Sequence, residues 1–300
     1  MNVPPSTSAF SPELAEGSGR TVAVLLKDGS KQLEVALSLD PSSARIEMQC
    51  LLQNVLQVNR AWLLTHAEQS LDMAQYARYT ALLSRRLGGE PIAYLLGERE
   101  FYGLAFKVSP ATLIPRPETE LLVELALQRI PPQHAYRVLD LGTGSGAIAL
   151  SIAHARPDAQ VVAVDASVAA LGVAKFNAQR LNPGNVRLLQ SDWFSALQGE
   201  RFDMIVSNPP YIAAGDVHLA QGDVRFEPHA ALTSGVDGLE DIRRITAHAK
   251  THLNGNSWLL LEHGYDQAEQ VRILLQQAGF AKVFSACDLA GIERISGGIS

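Results

Sequence analysis

A glycine-rich turn does most to limit what this chain can fold into. Asp140-Leu141-Gly142-Thr143-Gly144-Ser145-Gly146 stands between an apolar run with strand character, 137–141, and an apolar helical run, 147–155. Glycines at such a junction allow a tight turn and let a ligand approach the backbone closely. After Pro131-Pro132 the same alternation continues. Strand-like runs at 161–164, 186–189, 202–206 and 258–261 are separated by helical runs at 168–181, 239–253 and 267–278. Repeated strand–helix units imply a parallel, doubly wound α/β sheet. Two final runs, 282–286 and 293–296, fit a terminal hairpin, which brings the sheet to seven strands.

Upstream the period changes. Leu51, Leu52, Val55 and Leu56 form one helical stripe, and Tyr79, Leu82, Leu83 and Leu87 form another. Such stripes are core, not cofactor boxes. Asp28-Gly29 suits a helix interior poorly and predicts that the first element is split into two short pieces. Gly88-Gly89 followed by Pro91 stops the last helix. The segments 98–102 and 105–108 flank Gly103-Leu104 and read as a hairpin. The expected organisation is a Pro-, Ser- and Gly-rich tail at 1–20, disordered by composition, and a helical domain at 21–93. A hairpin linker at 94–110 and a nucleotide-binding α/β domain at 111–300 complete it.

In a 3-2-1-4-5 strand order, ligands bind where the order reverses, between the first and fourth strands. The glycine turn closes the first of these. Gly142, Gly144 and Ala147 also satisfy the dinucleotide fingerprint, so an NAD enzyme is a rival on this motif alone. Asp140 argues against it. A carboxylate there suits the ammonium of a methionine moiety and would repel a pyrophosphate. Asp165 ends the second strand, where a carboxylate can accept both ribose hydroxyls. Asp192 and Trp193 follow the third strand; the first can receive an adenine amino group and the second can stack near the ring. A core tryptophan is the competing reading of Trp193.

Asn208-Pro209-Pro210-Tyr211 directly follows the fourth strand. A planar amide or aromatic amino nitrogen is a poor nucleophile carrying two N–H donors. The Asn208 side-chain oxygen and the Pro209 carbonyl can each accept one. That orients the nitrogen and favours the charge it gains as a methyl group is transferred to it. Pro209 and Pro210 stiffen the backbone, and Tyr211 can pack on the planar group. The chemistry read from these residues is methyl transfer from S-adenosylmethionine to nitrogen, leaving S-adenosylhomocysteine, with no metal required.

Taken together the motifs resemble the bacterial release factor glutamine methyltransferases, the HemK/PrmC family, from roughly Arg45 to the C-terminus. They are Gly88-Gly89-Glu90-Pro91, Phe101-Tyr102-Gly103, the segment 113–120, the glycine turn, Asp192-Trp193-Phe194, the segment 207–212, Arg225-Phe226-Glu227-Pro228 and Leu261-Glu262-His263-Gly264. The resemblance implies a Rossmann-like methyltransferase domain and, as substrate, the glutamine of the Gly-Gly-Gln motif in class I peptide chain release factors. It implies cofactor contacts for Gly142, Thr143, Gly144, Ser145, Gly146, Asp165, Trp193 and Asn208. Substrate contacts fall to Asn208, Pro209, Pro210 and Tyr211.

Other readings have less behind them. Asn-Pro-Pro-Tyr alone also fits an adenine-N6 methyltransferase of DNA or RNA, which would need a basic groove. The net charge is −6, and the helical region offers only scattered arginines such as Arg85-Arg86. No nucleic-acid partner is expected. A silent cofactor-binding module would not need an intact Asn208–Tyr211 motif. His248 and His252 have helical spacing but no third ligand, and Glu262-His263 is read as structural. With two distant cysteines, Cys50 and Cys287, and no apolar run of ~20 residues, a cytoplasmic, non-membrane monomer is expected.

Overall fold

The computed structural model describes residues 20–300; the tail expected at 1–20 lies, apart from Arg20, outside the described residues. The chain divides into two compact units, Met1–Leu96 and Gly97–Ser300.

The first unit is helical: α1 Val22–Leu37, α2 Pro41–Leu56, α3 Arg60–Thr65, α4 Met73–Leu87 and α5 Ile92–Leu96. The starts of α1 to α4 are each capped by a short polar side chain. Asp40 accepts from the Ser42 and Ser43 amides ahead of Pro41, and Asp72 and Gln75 form a reciprocal capping box. The stripes read from the sequence meet in one core with Leu25, Leu33 and Met48. The expected break at Asp28-Gly29 does not occur, and α1 runs unbroken through it. Tertiary packing overrides propensity here. A Cβ at Gly29 would lie 2.6 Å from Met48 Cε and 2.8 Å from the Tyr79 hydroxyl, so the missing side chain is what lets α2 and α4 close on α1. The buried Arg86 forks onto Glu47 at 2.7 and 3.0 Å and donates to the Glu90 carbonyl at 3.0 Å, fixing the Gly-Gly corner after α4.

The second unit opens with an antiparallel hairpin, β1 Glu98–Phe101 and β2 Leu104–Lys107. Its turn residues are Tyr102-Gly103, one position earlier than the Gly103-Leu104 expected. Both have positive φ, 52° and 74°, the requirement of the tight turn that matches strand twist. The elements that follow are α6 Glu120–Leu127, β3 Arg137–Leu141, α7 Ala147–Ala155, β4 Gln160–Asp165, α8 Val168–Leu181, β5 Val186–Gln190, β6 Phe202–Ser207, α9 Glu240–Ala249, β7 Leu253–Glu262, α10 Ala268–Gln277, β8 Ala281–Cys287 and β9 Glu293–Ile299. The seven-stranded sheet has the order β5-β4-β3-β6-β7-β9-β8. The first five are parallel, and β9 pairs antiparallel with both neighbours. The expected α/β doubly wound fold is therefore present, with the reversal of order between β3 and β6.

Strand alternation sorts side chains into two cores. Val138, Val161, Ala163, Met204, Val206 and Leu260 face α6 and α7. Leu139, Leu141, Val162, Val164, Ile205 and Leu259 face α9 and α10. The hairpin is fastened to this unit by the fully buried Asn177 of α8. Its amide accepts from Lys107 N at 2.8 Å and donates to Lys107 O at 3.0 Å and Ser145 O at 2.9 Å. One side chain thus joins the hairpin to the glycine turn.

Candidate active site

A cavity of about 380 Å³ opens at the carboxyl edge of the sheet. Its floor comes from the ends of four strands: the glycine turn after β3, Asp165 at the end of β4, Ser191 to Trp193 after β5, and Asn208 after β6. This is the crevice where the strand order reverses. Segments 111–116 and 228–231 form further walls.

The turn is held by its own backbone and by Asp165. Thr143 N donates to Val164 O at 2.9 Å, and Gly146 N to Thr143 O at 2.8 Å. The Asp165 carboxylate accepts from Gly144 N and from Ser167 N, each at 2.8 Å. Gly146 has φ 85°, and a Cβ there would lie 2.9 Å from Leu150 Cδ1, so no other residue suits the start of α7. Gly142, Thr143, Gly144, Ser145, Asp165, Asp192, Trp193, Asn208 and Pro210 all line the cavity.

Asp140, Gly146, Pro209 and Tyr211 do not. Asp140 shares the strand face of Val138, which is covered by helices, and is completely buried. Its Oδ2 accepts from the Thr143 hydroxyl at 2.6 Å, and its Oδ1 has no hydrogen-bond partner. Burial pushes its pKa up to about 7, and the Thr143 hydrogen bond opposes that rise. Asp140 therefore stands behind the turn. Tyr211 is half-buried, and its hydroxyl turns inward to donate to Glu262 Oε1 at 3.4 Å. Asp192 is exposed and paired with Arg244 at 2.7 Å, across the cavity wall. Trp193 lies over Gly142, where a Cβ would come within 3.5 Å of the indole ring. Trp193 is also packed against the α9–α10 core, as the core reading has it, while it lines the cavity.

Asn208 has the arrangement an acceptor needs. Ser207, just before it, donates its hydroxyl to Leu141 O at 2.7 Å and ties the ends of β6 and β3 together. The Asn208 Nδ2 donates to the Thr119 hydroxyl at 3.2 Å. Its Oδ1 is buried without a hydrogen-bond partner, in a residue that lines the cavity. A buried carbonyl oxygen left unpaired costs roughly 1–3 kcal/mol, which an incoming N–H donor would recover.

The loop after the motif is pinned by residues the sequence reading did not single out. Gln267 Nε2 donates to the Tyr211 carbonyl at 2.9 Å, and Gln267 Oε1 accepts from Gly264 N at 2.8 Å. Gly238, with φ 76°, packs directly on the Tyr211 carbonyl; a Cβ there would collide with that oxygen and lie 2.7 Å from Gln267 Nε2. Gly238→Ala should therefore displace the Asn208–Tyr211 loop. Strain and overpacking together predict a loss of about 1–3 kcal/mol in stability, with kcat reduced in step. Urea denaturation and steady-state rates at wild-type values would show that this contact does not set the loop.

Across the cavity, Glu227 accepts from Ile114 N at 3.0 Å and pairs with Arg116. Burial raises the Glu227 pKa and the Arg116 guanidinium draws it back. This pair joins the wall around 113–116 to that around 228–231. Glu227 and Arg116 were legible only as parts of motifs. The two histidines weighed as metal ligands are otherwise engaged: His248 Nδ1 contacts Arg244 O at 2.8 Å, and His252 contacts Glu200 O at 3.1 Å and stacks on Phe194.

Residues 25–97 match the PrmC N-terminal domain and residues 118–231 the methyltransferase small domain. A release factor glutamine methyltransferase of Bordetella pertussis is 54% identical over 263 residues, 87% of this chain and 97% of that protein. One of Escherichia coli K12 is 48% identical over 271 residues, 90% of this chain and 96% of that protein. Among solved structures, a methyltransferase from Pyrococcus furiosus has a TM-score of 0.50 at 19% identity, covering 73% of this chain and 98% of that one. The catalytic domain of hMettl16 has a TM-score of 0.55 at 16% identity, covering 73% and 82%. The last two likenesses bear on the fold alone. With relatives of about half its residues identical spanning most of its length, this chain belongs to the release factor glutamine methyltransferase family.

Proposed function

We propose that this protein transfers a methyl group from S-adenosylmethionine to the side-chain amide nitrogen of the glutamine in the Gly-Gly-Gln motif of class I release factors, supporting translation termination in the cytoplasm. The observation that carries this reading is Asn208, its side-chain oxygen unpartnered, in the lining of a cavity built around the glycine turn. The relatives' shared activity supplies the identity of the protein substrate.

The residues fit the methyl donor. The Asp165 carboxylate is fixed by two backbone amides and keeps lone pairs for ribose hydroxyls. Gly142 to Ser145 offer backbone to a ligand at close range, and Trp193 offers a ring face. Asp140 supports Thr143 from behind, accepting from its hydroxyl. When bound, the donor supplies an electrophilic methyl group and leaves as a neutral thioether.

The chain's own contribution is orientation. Asn208 Oδ1 accepts an N–H of the target amide and turns its lone pair toward the cavity. As positive charge develops on that nitrogen, the same acceptor stabilises it more strongly than it stabilises the neutral amide; the Pro209 carbonyl, expected as a second acceptor, belongs to a buried residue that does not line the cavity. The proton is lost after transfer, when the nitrogen is acidic. Pro210 lines the approach, and Tyr211 braces the loop.

The helical unit is assigned to recognition of the release factor. A chain beginning at Gly97 should then keep donor affinity and methylate release factor at least ~10-fold more slowly. Full activity from that truncated chain would remove the role. The activity itself is tested with labelled donor and either purified release factor or nucleic acid. Label in release factor alone is expected; label in nucleic acid alone would favour the adenine-N6 reading, and label in neither would favour a silent binding module.

A further inference from the structure

The Tyr211 carbonyl is the last link of a hydrogen-bond chain that runs back to the terminal hairpin of β8 and β9. Gln267 Nε2 donates to that carbonyl at 2.9 Å, and Gln267 Oε1 accepts from Gly264 N at 2.8 Å. Gly264 O accepts from Gln267 N at 3.1 Å, so the two residues clasp each other twice at the start of α10. The same Gly264 carbonyl lies 2.9 Å from His263 Nδ1. The other ring nitrogen, Nε2, lies 2.9 Å from the Ser296 hydroxyl of β9. Ser296 is 2.7 Å from the Ser285 hydroxyl of β8, and Arg272 Nη1 of α10 donates to Ser285 at 2.6 Å. His263 and Ser296 are both completely buried.

The ends of the chain fix its direction. A carbonyl oxygen only accepts, so His263 Nδ1 carries the ring hydrogen on the side of Gly264. Burial lowers the His263 pKa from its ordinary value; the Gly264 carbonyl and Glu293 oppose that shift, and the Arg294 and Arg272 charges reinforce it. At neutral pH the ring is therefore uncharged and its Nε2 is bare. Ser296 donates to Nε2 and accepts from Ser285, which accepts from Arg272. The Gln267 amide is oriented in the same way, by a backbone N–H at one end and a backbone carbonyl at the other.

We infer that His263 is a positioning residue for the reaction loop: as its Nδ1–H tautomer it fixes the Gly264 carbonyl, and through Gly264 and Gln267 it holds the Tyr211 carbonyl in place. Two prolines stand between Tyr211 and Asn208, so the loop is stiff and a displaced Tyr211 carries Asn208 with it. Completely buried, His263 reaches neither substrate nor donor. This inference rests on the proposed methyl transfer and goes beyond it by naming what holds the Asn208–Tyr211 loop from the side away from the cavity.

Two substitutions separate positioning from filling. The amide nitrogen of asparagine reaches as far from the backbone as histidine Nδ1, and that of glutamine as far as Nε2. His263→Asn therefore keeps a donor for Gly264 O and gives up Ser296. His263→Gln keeps a partner for Ser296 and more of the ring's volume but has no donor for Gly264 O. Its kcat should fall at least ~10-fold, with release-factor KM and donor Kd within ~2-fold of wild type, since small misplacements of an orienting group act on the rate. His263→Asn should keep kcat within ~3-fold of wild type, although it leaves the larger void and the lower Tm. A histidine that merely fills the core would rank the two variants the other way, with kcat following Tm, and that ranking would overturn the proposal. Should His263→Gln not fold, ¹⁵N NMR of the wild-type ring decides, the resonance being the one missing from His263→Asn. Hydrogen on Nδ1 is expected, and hydrogen on Nε2 alone would overturn the proposal. The tautomer is read without turnover, so a wild-type enzyme that fails to methylate release factor would instead overturn the functional reading.

Discussion

Asn208→Ala should lower the rate of methyl transfer by on the order of 10²–10³ while leaving release-factor binding nearly unchanged. The asymmetry follows from where the side chain acts. Binding energy between proteins is spread over anchors away from a single glutamine side chain, so its loss costs little docking energy. The target nitrogen, by contrast, loses the acceptor that fixes its orientation and matches its developing charge. The fold should tolerate the change, since Asn208 is only half-buried and its one hydrogen bond within the protein is to Thr119. Asn208→Asp should be impaired as well. It keeps an acceptor oxygen but puts a second oxygen where Thr119 had received an N–H, and it adds a charge at a half-buried position. Single-turnover transfer with binding measured separately distinguishes the two effects. A wild-type transfer rate in Asn208→Ala would remove the amide-orienting role.

Asp165→Ala should weaken donor binding, with Kd raised by on the order of 10². A charge-assisted hydrogen bond is worth about 1.5–3 kcal/mol, and two bonds from one carboxylate add less than their sum. The substitution also frees the amides of Gly144 and Ser167, which Asp165 holds at 2.8 Å each. Part of the loss is thus a looser glycine turn. Asp165→Asn separates the parts: it retains one acceptor oxygen and loses the charge, and its Kd should lie between those of the wild type and Asp165→Ala. Calorimetry on a folded Asp165→Ala protein that returned the wild-type affinity would show that this carboxylate does not hold the donor.

Much of the architecture was legible because it follows from periodicity. The alternation of Val138 and Leu139, or Val161 and Val162, between two cores is the period of a strand buried on both faces. The glycine turn and Asn208–Tyr211 were legible because few residue types meet those local demands. What was not legible depends on the third dimension. Gly29 looked like a helix breaker and is instead a packing contact for Met48 and Tyr79, remote in sequence. Tyr102 gave no sign that it would accept a positive φ.

Asp140 illustrates a signal that was present but differently weighted. It has the same strand parity as Val138, and so lies on the helix-covered face, not at the cavity wall. Glu262 ends a strand whose neighbours, Leu259 to Leu261, are completely buried, which marks its position as interior. Nothing in the sequence links it to Tyr211, because that contact joins the end of β7 to the loop after β6. Gln267 and Gly238 belong to the same class: their partner is the Tyr211 carbonyl, and a backbone partner leaves no side-chain pattern to read.

The most direct measurement of the central claim is the position of the methyl group. Purified protein is incubated with S-adenosylmethionine and a class I release factor, and the digested release factor is mapped by fragment mass spectrometry. The account predicts one added methyl on the side-chain nitrogen of the Gly-Gly-Gln glutamine, absent when the Asn208→Ala protein is used for the same short reaction. Methyl on another residue, or an unmodified glutamine with full turnover of donor, would contradict it.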